Sequence, residues 1–244
     1  LDGGMGQELL ARGMKPNGTL WSANALLQEK YHKLVLDTHI DFVKAGAEVI
    51  VTNSFTTRKK RLKENNIEDK FEYLNNKAGE IARNVKKIYP KVLIAGSLPS
   101  QSLTYEVDDR PEAIISENFY SQAKILNNYC DFFYFDVLSS VREFQLAIES
   151  IREFNKPYLL GIHISEGVCL PSGESILDAY KNIYKENLLG VILACVSPEN
   201  FEKNLDEIKK IGVPFGFKLN AFVKTNTKPN YVDAYNISNT GNPN

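Results

Sequence analysis

Phe132-Phe133-Tyr134-Phe135-Asp136-Val137 is a nearly continuous apolar run, and a second such run spans residues 157–165. Between the two runs, apolar side chains recur at the spacing of an amphipathic helix, at Phe144, Ala147, Ile148 and Ile151. A strand, a helix and a second strand in this order are typical of a βαβ unit, whose two strands lie parallel. The segment therefore predicts an α/β fold built on a parallel sheet.

The same alternation extends in both directions along the chain. Further short β-rich runs occupy residues 48–52, 92–97, 190–195 and 214–220. A longer helical stripe is formed by Phe71, Leu74, Ala78, Ile81, Val85 and Ile88. If Leu1 ends a strand that starts before the sequence, the count reaches seven strands, one fewer than a (β/α)8 barrel requires.

The predicted fold class is therefore an α/β (β/α)8 TIM barrel, incomplete at its C-terminus, with the eighth strand and helix outside this chain. An open doubly wound sheet is the alternative, but no strand is followed by a Gly-x-Gly-x-x-Gly turn and an acidic residue, which argues against dinucleotide binding. We assign residues 1–220 to the barrel. Residues 221–244, dense in Asn, Thr, Lys and Pro, are predicted to be a polar loop or disordered tail.

The composition favours a small-molecule partner. The 29 basic and 30 acidic residues give a net charge of -1, so no basic surface predicts binding to nucleic acid or to an anionic membrane. No apolar stretch approaches the ~20 residues that span a bilayer. The three cysteines, Cys130, Cys169 and Cys195, are widely spaced, which favours reduced thiols and a cytoplasmic location.

Polar residues close the predicted strands. In a barrel the catalytic groups come from the C-terminal ends of the strands, so these positions are the candidates for a ligand site. In chain order they are Asp2, Thr52 with Asn53, Ser97, Asp136, His163 or Ser165, Cys195 and Asn220. Strands also end in polar residues simply because loops begin there, so the prediction depends on the set converging on one mouth.

Two of these strands carry reactive side chains with open interpretations. Cys195 could be a metal ligand or a nucleophile, and it could equally be a buried core residue. Alternation along residues 215–219 places Lys218 on the interior face. An interior lysine could form a Schiff base, and the favoured interpretation is an ion pair with an interior carboxylate.

Two polar segments are expected at the surface. His32 and His39 lack the spacing of a zinc-binding helix, so we assign both to a solvated helix face. The basic segment 58–63 is followed by acidic residues, which indicates a surface of mixed charge.

Four blocks near the N-terminus resemble the homocysteine S-methyltransferase family, and their order and spacing are more specific than any block alone. They are Asp2-Gly3-Gly4-Met5-Gly6 with Glu8-Leu9, Leu20-Trp21-Ser22-Ala23, Ala45-Gly46-Ala47, and Thr52-Asn53-Ser54-Phe55. Further matches are Ala95-Gly96-Ser97-Leu98, Pro171-Ser172-Gly173-Glu174-Ser175, and Cys195 followed by Ser197-Pro198-Glu199.

This resemblance implies a (β/α)8 barrel in which Zn²⁺, held by three cysteines, binds the thiol of homocysteine. A methyl group from a sulfonium donor such as S-methylmethionine, an ammonium donor or a folate is transferred to the zinc-bound thiolate, and methionine is formed. Cys195 matches the first zinc cysteine. The positions implied to bind substrate are Asp2, Gly3, Asn53, Asp136 and Asn220.

The sequence departs from the family pattern at several of these positions. Asp136 stands where the family has a glutamate that holds the substrate ammonium, and Ala194 replaces an asparagine before the zinc cysteine. Ala221-Phe222 replaces Ser-Gly after Asn220, and the paired zinc cysteines of the eighth strand do not occur. We therefore expect those cysteines to lie beyond Asn244, and zinc to be absent from or weakly bound by the 244-residue chain.

Two functions follow as hypotheses. The first is a homocysteine S-methyltransferase that is active once the cysteine pair is present. The alternative is a non-catalytic or altered-substrate barrel relative that binds a small amino-acid-like ligand, and the departures at Asp136, Ala194 and Ala221-Phe222 favour it.

Overall fold

The computed structural model describes residues 1–164 and 167–220. Its helices are α1 Met5–Ala11, α2 Asn24–Leu27, α3 His32–Lys44, α4 Lys59–Glu64, α5 Phe71–Ile88, α6 Glu112–Leu126, α7 Val141–Ile151, α8 Ile176–Lys181 and α9 Pro198–Ile208. Its strands are β1 Val49–Val51, β2 Leu93–Pro99, β3 Phe132–Leu138, β4 Tyr158–Ile162, β5 Leu188–Val196 and β6 Phe215–Leu219. The predicted tail 221–244 and the strand-end candidate Ser165 lie outside the described residues.

The six strands belong to one sheet, in the order β1-β2-β3-β4-β5-β6. The pairs β1–β2, β4–β5 and β5–β6 are parallel. This order confirms the α/β prediction and lacks the reversal that defines a doubly wound sheet. Leu1 and its neighbours form no strand, so the described residues contain six strands rather than the expected seven. Closure into an eight-stranded barrel stays a prediction.

The chain divides into two compact units. The first comprises Leu1–Leu98 with Ser121–Tyr134, and the second comprises Pro99–Tyr120 with the described residues from Phe135 onward.

The first unit has a core of helix-borne apolar side chains, including Leu9, Leu26, Val35 and Leu62. The predicted stripe of α5 contributes five buried residues, Phe71, Leu74, Ala78, Ile81 and Val85. Ile88 is 56% exposed, so the stripe was predicted one residue too far. Ile88 is the last residue of α5, where the helix leaves the core.

In the second unit, β3 and most of β4 and β5 carry side chains that are buried on both faces, whereas Phe215, Phe217 and Leu219 of β6 are exposed. Residues 135–138 of β3 are all buried, and Phe135 packs edge-on against Phe119 and Tyr158 at ring-centroid distances of 6.0 and 5.6 Å. The predicted stripe of α7 is buried throughout. Ser140 caps α7 by accepting a hydrogen bond from the backbone N–H of Glu143, and so sets where the helix begins after β3.

Candidate functional site

In the first unit, the Asp2 carboxylate joins the N-terminal segment to the end of β1. Its Oδ2 atom accepts a 3.0 Å hydrogen bond from the backbone N–H of Val51 and lies 3.3 Å from Nδ1 of His39. The side chains of Asp2 and His39 are 4% and 0% exposed. Asp2 is therefore buried and engaged at a strand end, and the prediction that His39 lies on a solvated face is wrong.

The glycines of the opening segment allow close approach of aromatic rings. A Cβ atom at Gly3 would lie 2.6 Å from Cε1 of Phe42, and one at Gly6 would overlap the indole of Trp21. A methyl group at either position would overlap a ring, so packing favours glycine at both positions.

Asn53 lies in a buried polar network beyond β1. Its side-chain Nδ2 donates a 3.1 Å hydrogen bond to the carbonyl of Ser22, and the side chain is buried. Thr52 Oγ1 accepts a 2.9 Å hydrogen bond from the backbone N–H of Ser97, which links the ends of β1 and β2. The structure therefore brings the predicted strand-end residues Thr52, Asn53 and Ser97 into one region of the first unit.

The predicted mixed-charge surface at residues 58–63 is also wrong in part. Arg58 is fully buried and Arg61 is 5% exposed. The Arg58 guanidinium donates to the carbonyl of Phe55 at 3.1 Å and lies 5.4 Å from the centroid of that ring. Burial of the guanidinium against an aromatic ring and a carbonyl was not visible in the local charge pattern.

In the second unit, Cys195 sits on a bulge at the end of β5. The register with β6 shifts there, since Ala194 pairs with Lys218 and Val196 pairs with Leu219. The φ of Cys195 is 55°, in the left-handed region that non-glycine residues rarely adopt. Bulges and such strained residues cluster at functional sites because they redirect a side chain, here the half-buried thiol.

Asn220 supports this bulge. Its side-chain Nδ2 donates a 2.7 Å hydrogen bond to the carbonyl of Cys195, and its backbone N–H donates to the carbonyl of Val196 at 2.9 Å. Asn220 thus acts on the strand that carries Cys195, through the backbone.

Asp136 and Lys218 form an ion pair inside the second unit. Lys218 Nζ lies 2.7 Å from Asp136 Oδ2, and the side chains are 33% and 2% exposed. This contact is the ion pair that alternation along β6 predicted. Val137, the residue after Asp136, has a φ of 67°, an outlier for a β-branched side chain. Strained backbone therefore occurs at Cys195 and at the residue that follows Asp136.

Tyr105, which the sequence did not single out, and His163, a predicted strand-end candidate, lie near the thiol or its strand. Tyr105 hydrogen-bonds the Cys195 thiol, and its ring lies 4.2 Å from that of His163. His163 Nδ1 contacts the carbonyl of Ala194 at 3.1 Å. Nothing in the local sequence around Tyr105 distinguishes it from an ordinary loop tyrosine.

Burial is the largest influence on the pKa values of Cys195 and His163. It raises the pKa of the Cys195 thiol, an effect opposed by the charge of Lys218 and reinforced by that of Asp136. Burial also lowers the pKa of His163 to about 4, despite the hydrogen bond to the carbonyl of Ala194. The imidazole is therefore neutral at pH 7.

The described residues do not fit a zinc centre by themselves. Zinc sites use about three protein ligands plus substrate or a fourth ligand. Within residues 1–164 and 167–220, no three His, Cys, Asp or Glu side chains are grouped so that they could hold a metal ion. Cys130 is buried in the first unit beside Gly96, and Cys169 is exposed.

No described helix is long and apolar enough to cross a membrane.

The strands follow one another in consecutive order, as in an α/β protein. A cysteine with strained backbone, a carboxylate and an amide lie at the strand ends, and they define a candidate ligand site there. The chain belongs to the homocysteine S-methyltransferase family, whose sequence profile matches residues 1–240.

Individual relatives agree with this membership. The chain is 26% identical over 238 residues to homocysteine S-methyltransferase 2 of Zea mays, an alignment that covers 86% of this chain and 69% of that protein. It is 27% identical over 210 residues to homocysteine S-methyltransferase 2 of Saccharomyces cerevisiae, covering 75% and 63%. The chain therefore spans only about two thirds of the length of these relatives.

A solved structure shares the fold. The metallated form of the homocysteine methyltransferase MmuM from Escherichia coli superposes with a TM-score of 0.81 at 20% identity, covering 91% of this chain and 83% of that one.

Proposed function

We propose that the protein transfers a methyl group to the thiol of homocysteine and so forms methionine. Family membership supports the reaction class. The observation that carries the proposal is the bulge that turns the Cys195 thiol at the end of β5, beside the Asp136–Lys218 ion pair. Residues 1–220 are proposed to be the homocysteine-binding domain.

The proposed substrate-binding residues are Asp2, Gly3, Asn53, Asp136 and Asn220. In the first unit, Asp2 and Asn53 are held by backbone partners, and Gly3 admits the Phe42 ring, so these three would shape their part of the site. In the second unit, Asp136 acts through its ion pair with Lys218, and Asn220 holds the strand that carries Cys195. Family resemblance and these positions at strand ends support the assignment.

The proposed reaction is a substitution at the methyl carbon. The homocysteine sulfur forms a bond to that carbon as the bond from the carbon to the donor atom breaks. The donor keeps that electron pair, and the thiol proton leaves the substrate. Holding the sulfur in line with the breaking bond supplies much of the rate enhancement in such a reaction. The donor is proposed to be a sulfonium such as S-methylmethionine, an ammonium compound or a folate; with S-methylmethionine both products are methionine.

Zinc stays a prediction, with Cys195 as its one proposed ligand in this chain. Bound zinc would favour the thiolate form of homocysteine at neutral pH. Because the described residues assemble no set of three ligands, the remaining ligands would have to come from elsewhere in the complete protein.

The test is methionine formation by the complete protein, supplied with Zn²⁺ and homocysteine. Separate reactions contain S-methylmethionine, betaine or a methylated folate as the donor. We expect methionine that depends on homocysteine with at least one donor. A folded protein that neither binds homocysteine nor forms methionine with any of the three would refute the proposal.

The ion pair of Asp136 favours one alternative, an altered-substrate or non-catalytic relative that binds an amino-acid-like ligand. This relative would bind a thiol or amino acid other than homocysteine more tightly. Calorimetric titration of the complete protein with homocysteine and with such ligands separates the two proposals.

A further inference from the structure

Lys218 is the accessible member of the charge pair in the second unit. It lies on β6 opposite Ala194, the residue before Cys195. Its side chain is 33% exposed, whereas that of Asp136 is 2% exposed. A ligand that approaches the pair therefore meets an ammonium group rather than a carboxylate.

One oxygen of the Asp136 carboxylate, Oδ2, is already paired with a cation. The carboxylate projects from β3, where residues 132–138 are all buried, and a buried carboxylate requires a cation or hydrogen-bond donors nearby. Lys218 provides the cation at 2.7 Å. The other oxygen, Oδ1, is buried without a hydrogen-bond partner among the described residues, so an ammonium group brought by a substrate could reach the carboxylate only by displacing Lys218 or rearranging the pair. Direct binding of the substrate ammonium by Asp136 is therefore disfavoured.

The position of Lys218 suits recognition of an anion close to the thiol. An ammonium has three N–H donors, so it can donate to Asp136 and to a ligand carboxylate at the same time. Lys218 pairs in register with Ala194, the residue before Cys195, so the ammonium and the thiol are carried by neighbouring positions of β6 and β5. The sulfur and the carboxylate of homocysteine are separated by only a short chain, and neighbouring groups on β5 and β6 could bind both.

We propose that Lys218 binds the carboxylate of the thiol substrate, and that Asp136 is a positioning residue that orients Lys218. The inference deepens the proposed function and rests on it. The site would then select thiols that carry a carboxylate, with or without an amino group.

Three ligands test this preference by calorimetric titration of the complete protein. Homocysteine carries both groups, 4-mercaptobutanoate lacks the amino group, and 3-aminopropane-1-thiol lacks the carboxylate. We expect 4-mercaptobutanoate to bind within about threefold of homocysteine, and the aminothiol to bind at least about tenfold more weakly, because it loses a charge-assisted hydrogen bond. The reverse order would overturn the inference and would indicate that Asp136 binds the ammonium.

Substitutions distinguish the role of Lys218 from that of Asp136. Lys218→Met should remove most of the difference between 4-mercaptobutanoate and the aminothiol. Because this variant leaves the Asp136 charge buried without its partner, the double variant Asp136→Asn with Lys218→Met gives the same comparison with both charges removed. Asp136→Asn alone should keep the preference for a carboxylate. Lys210→Met, at an exposed lysine after α9, is the matched control and should bind like the unaltered protein.

The outcomes distinguish the two levels of proposal. If homocysteine binds and the double variant keeps the full preference for a carboxylate, the inference about Lys218 is wrong and the proposed function stands. If the folded protein binds none of the three thiols, both fail.

Discussion

The side-chain amide of Asn220 donates a 2.7 Å hydrogen bond to the backbone carbonyl of Cys195. Cys195 adopts a φ of 55° on a bulge, so its backbone conformation is unfavourable and must be held by its surroundings. Asn220 provides part of that support from the end of β6. This hydrogen bond explains how a polar residue at the end of β6 can affect the thiol on the neighbouring strand β5.

Asn220→Ala should destabilise the bulge. Loss of one hydrogen bond of this kind lowers the free energy of unfolding by about 0.5–1.5 kcal/mol, measurable by urea denaturation. Homocysteine binding should weaken as well, because the thiol of Cys195 is no longer held in one orientation. Asn84→Ala, at an exposed position on α5, is the control and should change stability by less than about 0.5 kcal/mol. Equal effects of the two variants would contradict this role.

Gly6→Ala should destabilise the first unit, because the added methyl would overlap the indole of Trp21. Overpacking of this kind lowers the free energy of unfolding by about 1–3 kcal/mol. Gly4→Ala is the matched control, since no atom lies within 4 Å of a Cβ built there. Thermal unfolding of the two variants gives the comparison, and an unchanged Gly6→Ala protein would show that Trp21 moves freely.

Asp2→Ala should lower stability by about 1–3 kcal/mol, because it leaves the partly buried N–H of Val51 without its acceptor. Asp2→Asn keeps an oxygen acceptor and should lose less. Urea denaturation measures both free energies of unfolding. If Asp2→Asn is as damaging as Asp2→Ala, the negative charge beside His39 matters more than the hydrogen bond to β1.

His163 should make stability depend on pH in the acid range. Its pKa falls from 6.5 to about 4 on burial, so the unfolded chain binds the extra proton more readily than the folded protein. Its contribution is fully present above pH 6.5 and is lost as the pH falls toward 4. The full loss is about 3 kcal/mol.

His163→Gln should reduce the fall in unfolding free energy between pH 7 and pH 5, measured by urea denaturation at each pH. His32→Gln, at a histidine that is only partly buried, shows the effect of losing an imidazole elsewhere. An unchanged pH dependence in His163→Gln would contradict the assignment.

The apolar runs predicted the strands well, because burial on both faces demands them. The prediction for residues 132–137 corresponds to β3 at Phe132–Leu138, and that for 190–195 corresponds to β5 at Leu188–Val196. The run at 157–165 was extended too far, since β4 ends at Ile162. The Lys218 ion pair could also be predicted from the sequence, because alternation along β6 places that side chain in the interior.

The remaining features depend on contacts that the pattern of charges does not reveal. His39 is buried beside Asp2, which is distant in the sequence, and Arg58 is buried against the carbonyl and the ring of the nearby Phe55. The left-handed backbone at Val137 and Cys195 likewise has no local signal, since neither residue type favours a positive φ. The role of Tyr105 depends on the folded position of its loop.

The most direct test of the account is the affinity of the complete protein for homocysteine with and without the Cys195 thiol. Calorimetric titration should show that Cys195→Ala weakens binding by at least about tenfold, whereas Cys169→Ala, at the exposed cysteine, leaves the dissociation constant unchanged. If Cys195→Ala folds and binds homocysteine as tightly as the unaltered protein, the strand end that carries this thiol is not where the substrate sulfur is held.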